Sequence, residues 1–190
     1  MLEQLIELDK ELFIFLNGLG TASWDGFWLF YTSKFNWIPL YALLCYLLFK
    51  HLNLKTFLLA LVVIALLVTF TDQAANLFKR NVMRLRPCYE EYVFEVMRLV
   101  KSSCGGKHGY FSGHASNAMG IAIFIGLMLR SRYKYLIYML VFWAILMAYS
   151  RIYVGVHYPL DVLSGMLFGG LSGWLFYMLF KYLKSKLKLE

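Results

Sequence analysis

The feature that most constrains this chain is the apolar run FLLALVVIALLVTF at residues 57–70, which carries no charge. Such a run needs either a large protein core or a lipid bilayer around it. The chain is 61% hydrophobic, whereas soluble domains are roughly 45–50% apolar. Its charges cluster at the ends of apolar runs. The sequence therefore predicts an integral membrane protein of one domain, residues 1–190, rather than a globular protein with a large core.

Apolar segments divide the chain into about five predicted membrane spans of an all-α, polytopic helix bundle. The segment that begins at Trp24 is interrupted by Ser33 and Lys34 and resumes at Trp37. Neither half reaches the roughly 20 residues that a span requires, so we interpret the whole segment as one tilted or kinked span. The predicted spans are residues 24–49, 54–76, 113–129, 135–149 and 162–182.

Residues 1–20 precede the first span and are predicted to form an amphipathic helix on the membrane surface. The segment lacks the basic start of a signal peptide, because Lys10 is outnumbered by acidic residues. Its apolar residues fall mostly on one helical face. Gly18 and Gly20 are expected to end the helix.

The basic residues predict how the chain crosses the membrane. The net charge of +8 does not indicate nucleic-acid binding, because these residues flank apolar runs. The basic residues near Lys50, in the turn 130–134 and in the tail 181–188 follow the first, third and fifth predicted spans, so they share one side of the membrane. The positive-inside rule makes that side cytoplasmic. Residues 77–112 and 150–161 then lie outside. We expect a multi-pass protein of the inner (plasma) membrane whose functional face is periplasmic or external.

Residues 79–87, KRNVMRLRP, form the first cluster that could carry chemistry. Lys79 and Arg86 are seven positions apart, close to two helical turns, so both can face one pocket. Pro87 ends the helix there. The alternative is a basic helix end that anchors to lipid headgroups.

Residues 109–117, GYFSGHASN, form the second cluster. Ser112 and Gly113 precede an apolar helix, whose free N–H groups make an anion site. His114 lies in the first turn and can donate a proton to a leaving oxygen. The alternative is an ordinary capping serine followed by an interfacial histidine.

Residues 150–161, SRIYVGVHYPLD, form the third cluster. His157 can attack an electrophile, and Asp161 in the following helical turn can hold its tautomer. Arg151 carries a planar cation suited to phosphate oxygens. The alternative is a set of interfacial residues at a helix end.

The predicted topology brings the three clusters to one membrane face. Together they offer two histidines, a carboxylate, three cations and a helix N-terminus. Phosphoryl transfer requires these groups: cations that neutralise the phosphate oxygens, an in-line nucleophile and an acid for the leaving group.

The three clusters resemble the tripartite signature of the type 2 phosphatidic acid phosphatase superfamily of membrane lipid phosphatases. The resemblance covers residues from about 54 to the C-terminus. Ten signature identities match in order and spacing: Lys79, Arg86, Pro87, Ser112, Gly113, His114, Ser150, Arg151, His157 and Asp161.

The resemblance implies a metal-independent phosphatase that works without a cofactor through a phosphohistidine, at the outer side of the membrane. By this resemblance His157 is the nucleophile, Asp161 orients it and His114 is the general acid. No metal centre is expected, because the cations crowding the site would repel one. The expected phosphate-binding residues are Lys79, Arg86, Ser112, Gly113 and Arg151.

The sequence leaves the substrate open within the class of lipid phosphates and diphosphates. Undecaprenyl diphosphate is the first choice, because Arg80 and Arg84 add positive charge to the first cluster beside the motif residues Lys79 and Arg86. The phosphate of lipid A is the runner-up, and phosphatidylglycerol phosphate and phosphatidic acid remain alternatives. A non-catalytic lipid-binding or transport scaffold, or a vanadate-dependent halide oxidase, would be different classes of protein. The oligomeric state also stays open.

Two features of the outer connections carry further expectations. Phe111 stands where the family usually has proline, so a freer loop that contacts a lipid chain is expected. Cys88 and Cys104 both lie in the outer connection, where they form either a disulfide or a pair of free thiols.

Overall fold

The computed structural model describes residues 2–189; Met1 and Glu190, which the predicted domain includes, lie outside the described residues. This part of the chain is helical and contains no strand. The α-helices are α1 (Leu2–Gly18), α2 (Ala22–Thr32), α3 (Ile38–His51), α4 (Leu54–Val82), α5 (Glu91–Val96), α6 (Gly113–Leu129), α7 (Leu136–Tyr153) and α8 (Pro159–Lys186), with 3₁₀ turns at Lys34–Trp37 and Pro87–Tyr89.

Three helices among residues 2–189 are long and apolar enough to cross a membrane, namely α4, α7 and α8. Helix α6 is apolar but shorter. The structure is thus the all-α membrane bundle that the sequence predicts. The span boundaries and the number of five stay predictions.

The segment predicted as one span over residues 24–49 is broken into α2, a 3₁₀ turn and α3. Two side chains from the turn satisfy the last carbonyls of α2, which have no helical partner. Asn36 Nδ2 donates to the Phe30 carbonyl and Trp37 Nε1 donates to the Tyr31 carbonyl, each at 2.8 Å. Pro39 then lies in the first turn of α3, where its missing N–H costs nothing.

Helix α4 continues past residue 76, the predicted end of its span, to Val82. The side chain of Asn53 caps its start by accepting the Thr56 N–H at 2.9 Å. Met83 ends it in the left-handed conformation, with φ of 50°. Because the helix continues this far, Lys79 lies on its last turns and reaches the same end of the bundle as the loop that follows.

Helices α6 and α8 run parallel and in close contact along a stripe of glycines on α8. A Cβ on Gly165 would lie 2.5 Å from the Ser112 carbonyl oxygen, and one on Gly173 would collide with the Gly120 carbonyl oxygen. Gly169 meets the Ser116 backbone between them. Both helices therefore begin at the same end of the bundle, where the second and third clusters lie.

The opposite end of the bundle is basic. It encloses a cavity of about 710 Å³ bounded by the end of α3, the α6–α7 turn and the end of α8. The structure thus brings to one end the basic segments that the sequence predicted to share a side. The basic side chains and the histidine that line this cavity are His51, Arg132, Lys181, Lys184 and Lys188.

Helix α1 presents both an exposed apolar face and a buried stripe. Leu8 and Phe15 are 60% and 62% exposed, as expected of a helix on a membrane surface. Asp9, Phe13 and Asn17, spaced by four residues, are buried. Two of these three are polar, so the amphipathic pattern of the sequence did not reveal the stripe.

Asn17 fixes the end of α1 to the rest of the protein. Its Nδ2 donates to the carbonyls of Arg98, Ile152 and Tyr153 at 2.9–3.1 Å, and its Oδ1 accepts the Arg98 N–H at 2.7 Å. The buried amide thus joins α1 to the end of α7 and to the loop after α5.

Candidate active site

The three clusters meet at the end of the bundle where α6 and α8 begin. A Cβ on Gly113 would lie 3.9 Å from Lys79 Nζ, so the first and second clusters adjoin. A Cβ on Gly109 would lie 3.6 Å from His157 Nδ1 and 3.1 Å from Asp161 Oδ2. The loop before α6 therefore passes directly over the third cluster.

A cavity of about 890 Å³ opens at this meeting point and continues between α3, α4 and α6. Its polar end is lined by six of the eight predicted site residues: Lys79, Arg86, Gly113, His114, Arg151 and His157. The other two, Ser112 and Asp161, are fully buried behind them. Its apolar arm is lined mainly by aliphatic side chains, among them Ile38, Leu44, Leu48, Leu61, Ile64, Val68, Ile121 and Ile125.

His157 and Asp161 form the buried pair that their four-residue spacing predicted. His157 Nδ1 lies 3.4 Å from Asp161 Oδ2, which also accepts the Tyr158 N–H at 3.1 Å. The Asp161 carbonyl accepts the Ser112 N–H at 2.9 Å, which connects the second cluster to the third. With Nδ1 facing the carboxylate, Nε2 is the ring nitrogen left for an electrophile.

The environment of His157 favours a neutral imidazole. Burial is the largest cause that holds its pKa well below 6.5, followed by the positive charges of Arg86, Arg151 and Lys79. A backbone hydrogen bond with Gly109 acts in the opposite direction. The histidine is therefore unprotonated at neutral pH, the form in which it can act as a nucleophile.

The loop that carries His157 depends on Gly155. Its φ of +84° is a left-handed conformation that favours glycine. A Cβ there would lie 2.6 Å from the Met97 side chain and 2.7 Å from the Arg98 carbonyl. Glycine thus allows the chain to turn from α7 to α8 beneath the loop after α5.

Arg151 is a buried cation with unused hydrogen-bonding capacity. It is 3% exposed, and one guanidinium nitrogen donates to the hydroxyl of Thr32 at the end of α2. Its Nε has no hydrogen-bond partner within residues 2–189. A buried unpaired donor is costly, and the oxygen of an anion in the cavity would satisfy it. Sequence reasoning missed Thr32, since nothing in α2 indicates its contact with α7.

Arg84 does not face the cavity. Its Nη1 donates to Asp161 Oδ1 at 3.0 Å, and its Nη2 pairs with Asp9 on α1. Arg80 is exposed and does not line the cavity either. Although both arginines belong to the first cluster, neither adds positive charge to the cavity wall. The reason for preferring a diphosphate was therefore wrong.

Two lysines that the sequence did not single out do line the cavity. Lys34 comes from the turn after α2 and Lys101 from the loop after α5. Among the described residues, neither forms an ion pair. Asp72 supplies a carboxylate to the wall and accepts a hydrogen bond from Asn117 Nδ2 at 2.8 Å. The polar end is thus strongly cationic.

Two helix N-termini add to the positive potential. The Ser112 hydroxyl accepts the Ala115 N–H at 3.5 Å and caps α6. Gly113 is the first residue of α6 and lines the cavity, and α8 begins two residues after His157. The positive ends of both helix dipoles therefore lie at the site.

Phe111 does not behave as the sequence led us to expect. It is 2% exposed, and its ring centroid lies 5.3 Å from that of Phe78 and 5.0 Å from that of Phe168. The expectation of a freer loop that contacts a lipid chain was wrong, because aromatic packing between α4 and α8 holds this residue in place.

A disulfide joins Cys88, in the 3₁₀ turn before α5, to Cys104, in the loop after α5, with their Cα atoms 6.4 Å apart. This settles the choice between a disulfide and free thiols. Arg86 Nη1 donates to the Cys104 carbonyl at 2.7 Å and its Nε donates to the His108 carbonyl at 3.3 Å. The bridged loop thus orients the guanidinium of the first cluster.

A family model described as the PAP2 superfamily matches residues 54–185. The chain therefore belongs to this superfamily, as the motif resemblance indicated. It is a membrane phosphatase that hydrolyses phosphoric ester bonds.

Known proteins resemble the chain over most of its length. It is 39% identical to the lipid A 4'-phosphatase of Bacteroides thetaiotaomicron, over 99% of this chain and 84% of that protein. It is 31% identical to the undecaprenyl-diphosphatase of Sulfolobus acidocaldarius, over 88% of this chain and 76% of that protein. The crystal structure of a PAP2-type phosphatidylglycerolphosphate phosphatase from Bacillus subtilis has the same fold, with a TM-score of 0.71, 21% identity and coverage of 96% and 87%.

Proposed function

We propose that this protein is a metal-independent lipid A 4'-phosphatase that works through a phosphohistidine. The observation that carries the proposal is the single cavity in which a cationic end and an apolar arm adjoin. The cationic end fits a phosphate, and the apolar arm fits an acyl chain. The similarity to a lipid A 4'-phosphatase over 99% of the chain favours this substrate.

The first step transfers the phosphoryl group to the protein. The lone pair of His157 Nε2 attacks phosphorus, and the bond from phosphorus to the lipid oxygen breaks. His114, which is protonated once the negative charge of the phosphate fills the cavity, gives its proton to that oxygen and the dephosphorylated lipid leaves. The Nδ1 proton stays on His157 and is donated in a hydrogen bond to Asp161, whose carboxylate stabilises the cationic ring as the P–N bond forms.

The second step returns the protein to its starting state. The neutral His114 removes a proton from water, whose oxygen attacks phosphorus as the P–N bond breaks. Inorganic phosphate is released, His157 is again neutral and His114 is again protonated. Lys79, Arg86 and Arg151 neutralise the phosphate oxygens in both steps, with the Gly113 end of α6. These cations perform the charge neutralisation that other phosphatases assign to metal ions.

Lys34 and Lys101 support a substrate with more than one anionic group. Both are cations of the cavity wall outside the signature, so a second anionic group of the headgroup can bind them. Lipid A is polyanionic, whereas phosphatidic acid presents a single phosphate. Undecaprenyl diphosphate is the second candidate, because an undecaprenyl-diphosphatase is also similar to this chain.

The test is phosphate release by the purified protein in detergent with EDTA present. Lipid A, undecaprenyl diphosphate, phosphatidylglycerol phosphate and phosphatidic acid are compared, and mass spectrometry identifies which phosphate lipid A has lost. We expect the fastest release from the 4' position of lipid A. His157→Ala removes the activity, and the control His51→Ala, at the opposite end of the bundle, retains it.

Other outcomes would overturn specific parts of this proposal. Faster release from undecaprenyl diphosphate would make that lipid the substrate. Loss of release with EDTA would contradict metal independence. Equal activity of His157→Ala would contradict the phosphohistidine and favour a lipid-binding or transport scaffold.

For location, we propose the plasma (inner) membrane with the site on its periplasmic or external face. The basic end that holds Lys181 and Lys184 is then cytoplasmic. A membrane-impermeant maleimide applied to intact cells should label Lys107→Cys, near the site, and leave Ser131→Cys unlabelled. The reverse labelling pattern would indicate the opposite orientation in the membrane.

A further inference from the structure

The surface helix α1 contributes a buried carboxylate next to the catalytic pair. Asp9 is 4% exposed and its Oδ2 pairs with Arg84 Nη2. The other terminal nitrogen of the same guanidinium donates to Asp161 Oδ1 at 3.0 Å. Asp161 Oδ2 in turn lies 3.4 Å from His157 Nδ1. One arginine thus bridges a carboxylate from α1 and the carboxylate that faces the histidine.

The other contacts of these residues restrict the arrangement to one geometry. Asp9 Oδ1 accepts the Leu160 N–H at 2.8 Å, which satisfies one of the free N–H groups at the start of α8. The Arg84 guanidinium lies over the Tyr158 ring, 4.3 Å from its centroid, and Phe13 packs edge-on against that ring at 5.3 Å. The guanidinium is therefore held by two carboxylates and an aromatic face.

We propose that Asp9 and Arg84 are positioning residues for the His157–Asp161 pair, so that α1 completes the active site from outside the signature. This inference rests on the proposed phosphohistidine mechanism. Arg84 fixes the rotation of the Asp161 carboxylate, which directs Oδ2 toward the imidazole. Asp9 balances the charge of Arg84, so that Asp161 is not drawn away from the histidine.

The chain offers variants that separate charge from shape. Asp9→Asn keeps the size of the side chain and an oxygen that can accept the Leu160 N–H, but removes the charge that faces Arg84. Glu7→Gln is the matched control, because it removes the same charge from an exposed position of α1. Arg84→Lys keeps the positive charge, but a single ammonium lacks the planar fork that bridges two carboxylates.

The experiment measures kcat and KM for phosphate release from lipid A, with the thermal midpoint of each variant in detergent. Changing a supporting partner of a catalytic group costs about 10- to 100-fold. We expect a loss of kcat of about that size in Asp9→Asn and in Arg84→Lys, with KM within about twofold of the wild type. Glu7→Gln should match the wild type.

A double-mutant cycle tests whether the two residues act as one unit. Adding Asp9→Asn to Arg84→Lys should cost less than about threefold in kcat, because the bridge is already lost. Unchanged kcat in well-folded Asp9→Asn would overturn the proposal, as would fully multiplicative effects. If Asp9→Asn does not fold, the kcat and KM of Arg84→Lys decide the test. A loss of kcat with KM nearly unchanged supports the proposal, and an unchanged kcat overturns it. An inactive wild-type protein would instead contradict the proposed function, which separates the two failures.

Discussion

The motif end of the bundle and helix α1 reach the same active site by different routes. The motif residues lie at helix ends and in loops, where spacing in sequence places the residues of each cluster together and the helix topology brings the three clusters to one end. Helix α1 reaches the site through one buried polar residue, Asp9, and is anchored by a second, Asn17, within a helix that otherwise has an apolar exposed face. The difference shows that a membrane phosphatase can hold its reacting groups in local motifs while distant contacts hold those motifs in place.

The largest expected effect belongs to the motif end. His157→Ala should lower kcat for phosphate release by at least about 10³-fold, because no other group replaces the attacking nitrogen. The measurement is phosphate release together with the thermal midpoint. We expect the midpoint to change far less than the activity. Substantial residual turnover would remove the distinction between chemistry at the motif end and positioning by α1.

Asn17→Ala should show the reverse pattern. It leaves the partly buried Arg98 N–H without its partner and removes the hydrogen bonds that Asn17 donates to three carbonyls, which should cost about 2 kcal/mol in the free energy of unfolding. The thermal midpoint should fall, while kcat of the folded fraction stays within a few fold. The control is Gln4→Ala, at an exposed position of the same helix. A stable but inactive variant would assign α1 a role in the chemistry itself.

The pH dependence of kcat/KM tests the protonation state of His157 at the motif end. In the proposed mechanism His157 must be neutral to attack, and its pKa lies well below 6.5, chiefly through burial. The acid limb of kcat/KM should therefore lie below that pH. Removing the positive charge in Arg86→Ala favours the imidazolium, so the limb should move to higher pH by up to about one unit. Lys107→Ala, an exposed cation that does not line the cavity, should leave it in place.

The smallest expected effect concerns the cavity wall outside the motifs. Lys101→Ala should raise KM for lipid A about two- to fivefold, because it removes one partly exposed cation that binds a second anionic group. The KM for phosphatidic acid should change less. Equal changes for both lipids would assign Lys101 to the general charge of the site instead of substrate selection.

The sequence predicted the helical fold and the three clusters that the structure brings together at one end of the bundle, because motif spacing and apolar runs are local patterns. It did not reveal the bridge from Asp9 to Arg84, which joins residues 75 positions apart. The break between α2 and α3 depended on side-chain caps from Asn36 and Trp37. The packing of Phe111 likewise depended on two other helices.

The glycine stripe between α6 and α8 has a consequence for how errors can arise in the site. His114 belongs to α6 and His157 lies two residues before the start of α8, so a slip of one helix along the other would change the distance between the proposed nucleophile and the proposed acid. The glycines recur every four residues, so the next matching register lies about 6 Å away. Intermediate registers would place side chains against backbone. The two histidines are therefore either aligned or separated by about a full turn, and the packing disfavours small misalignments, of which one of about 1 Å can cost about 10²-fold in rate.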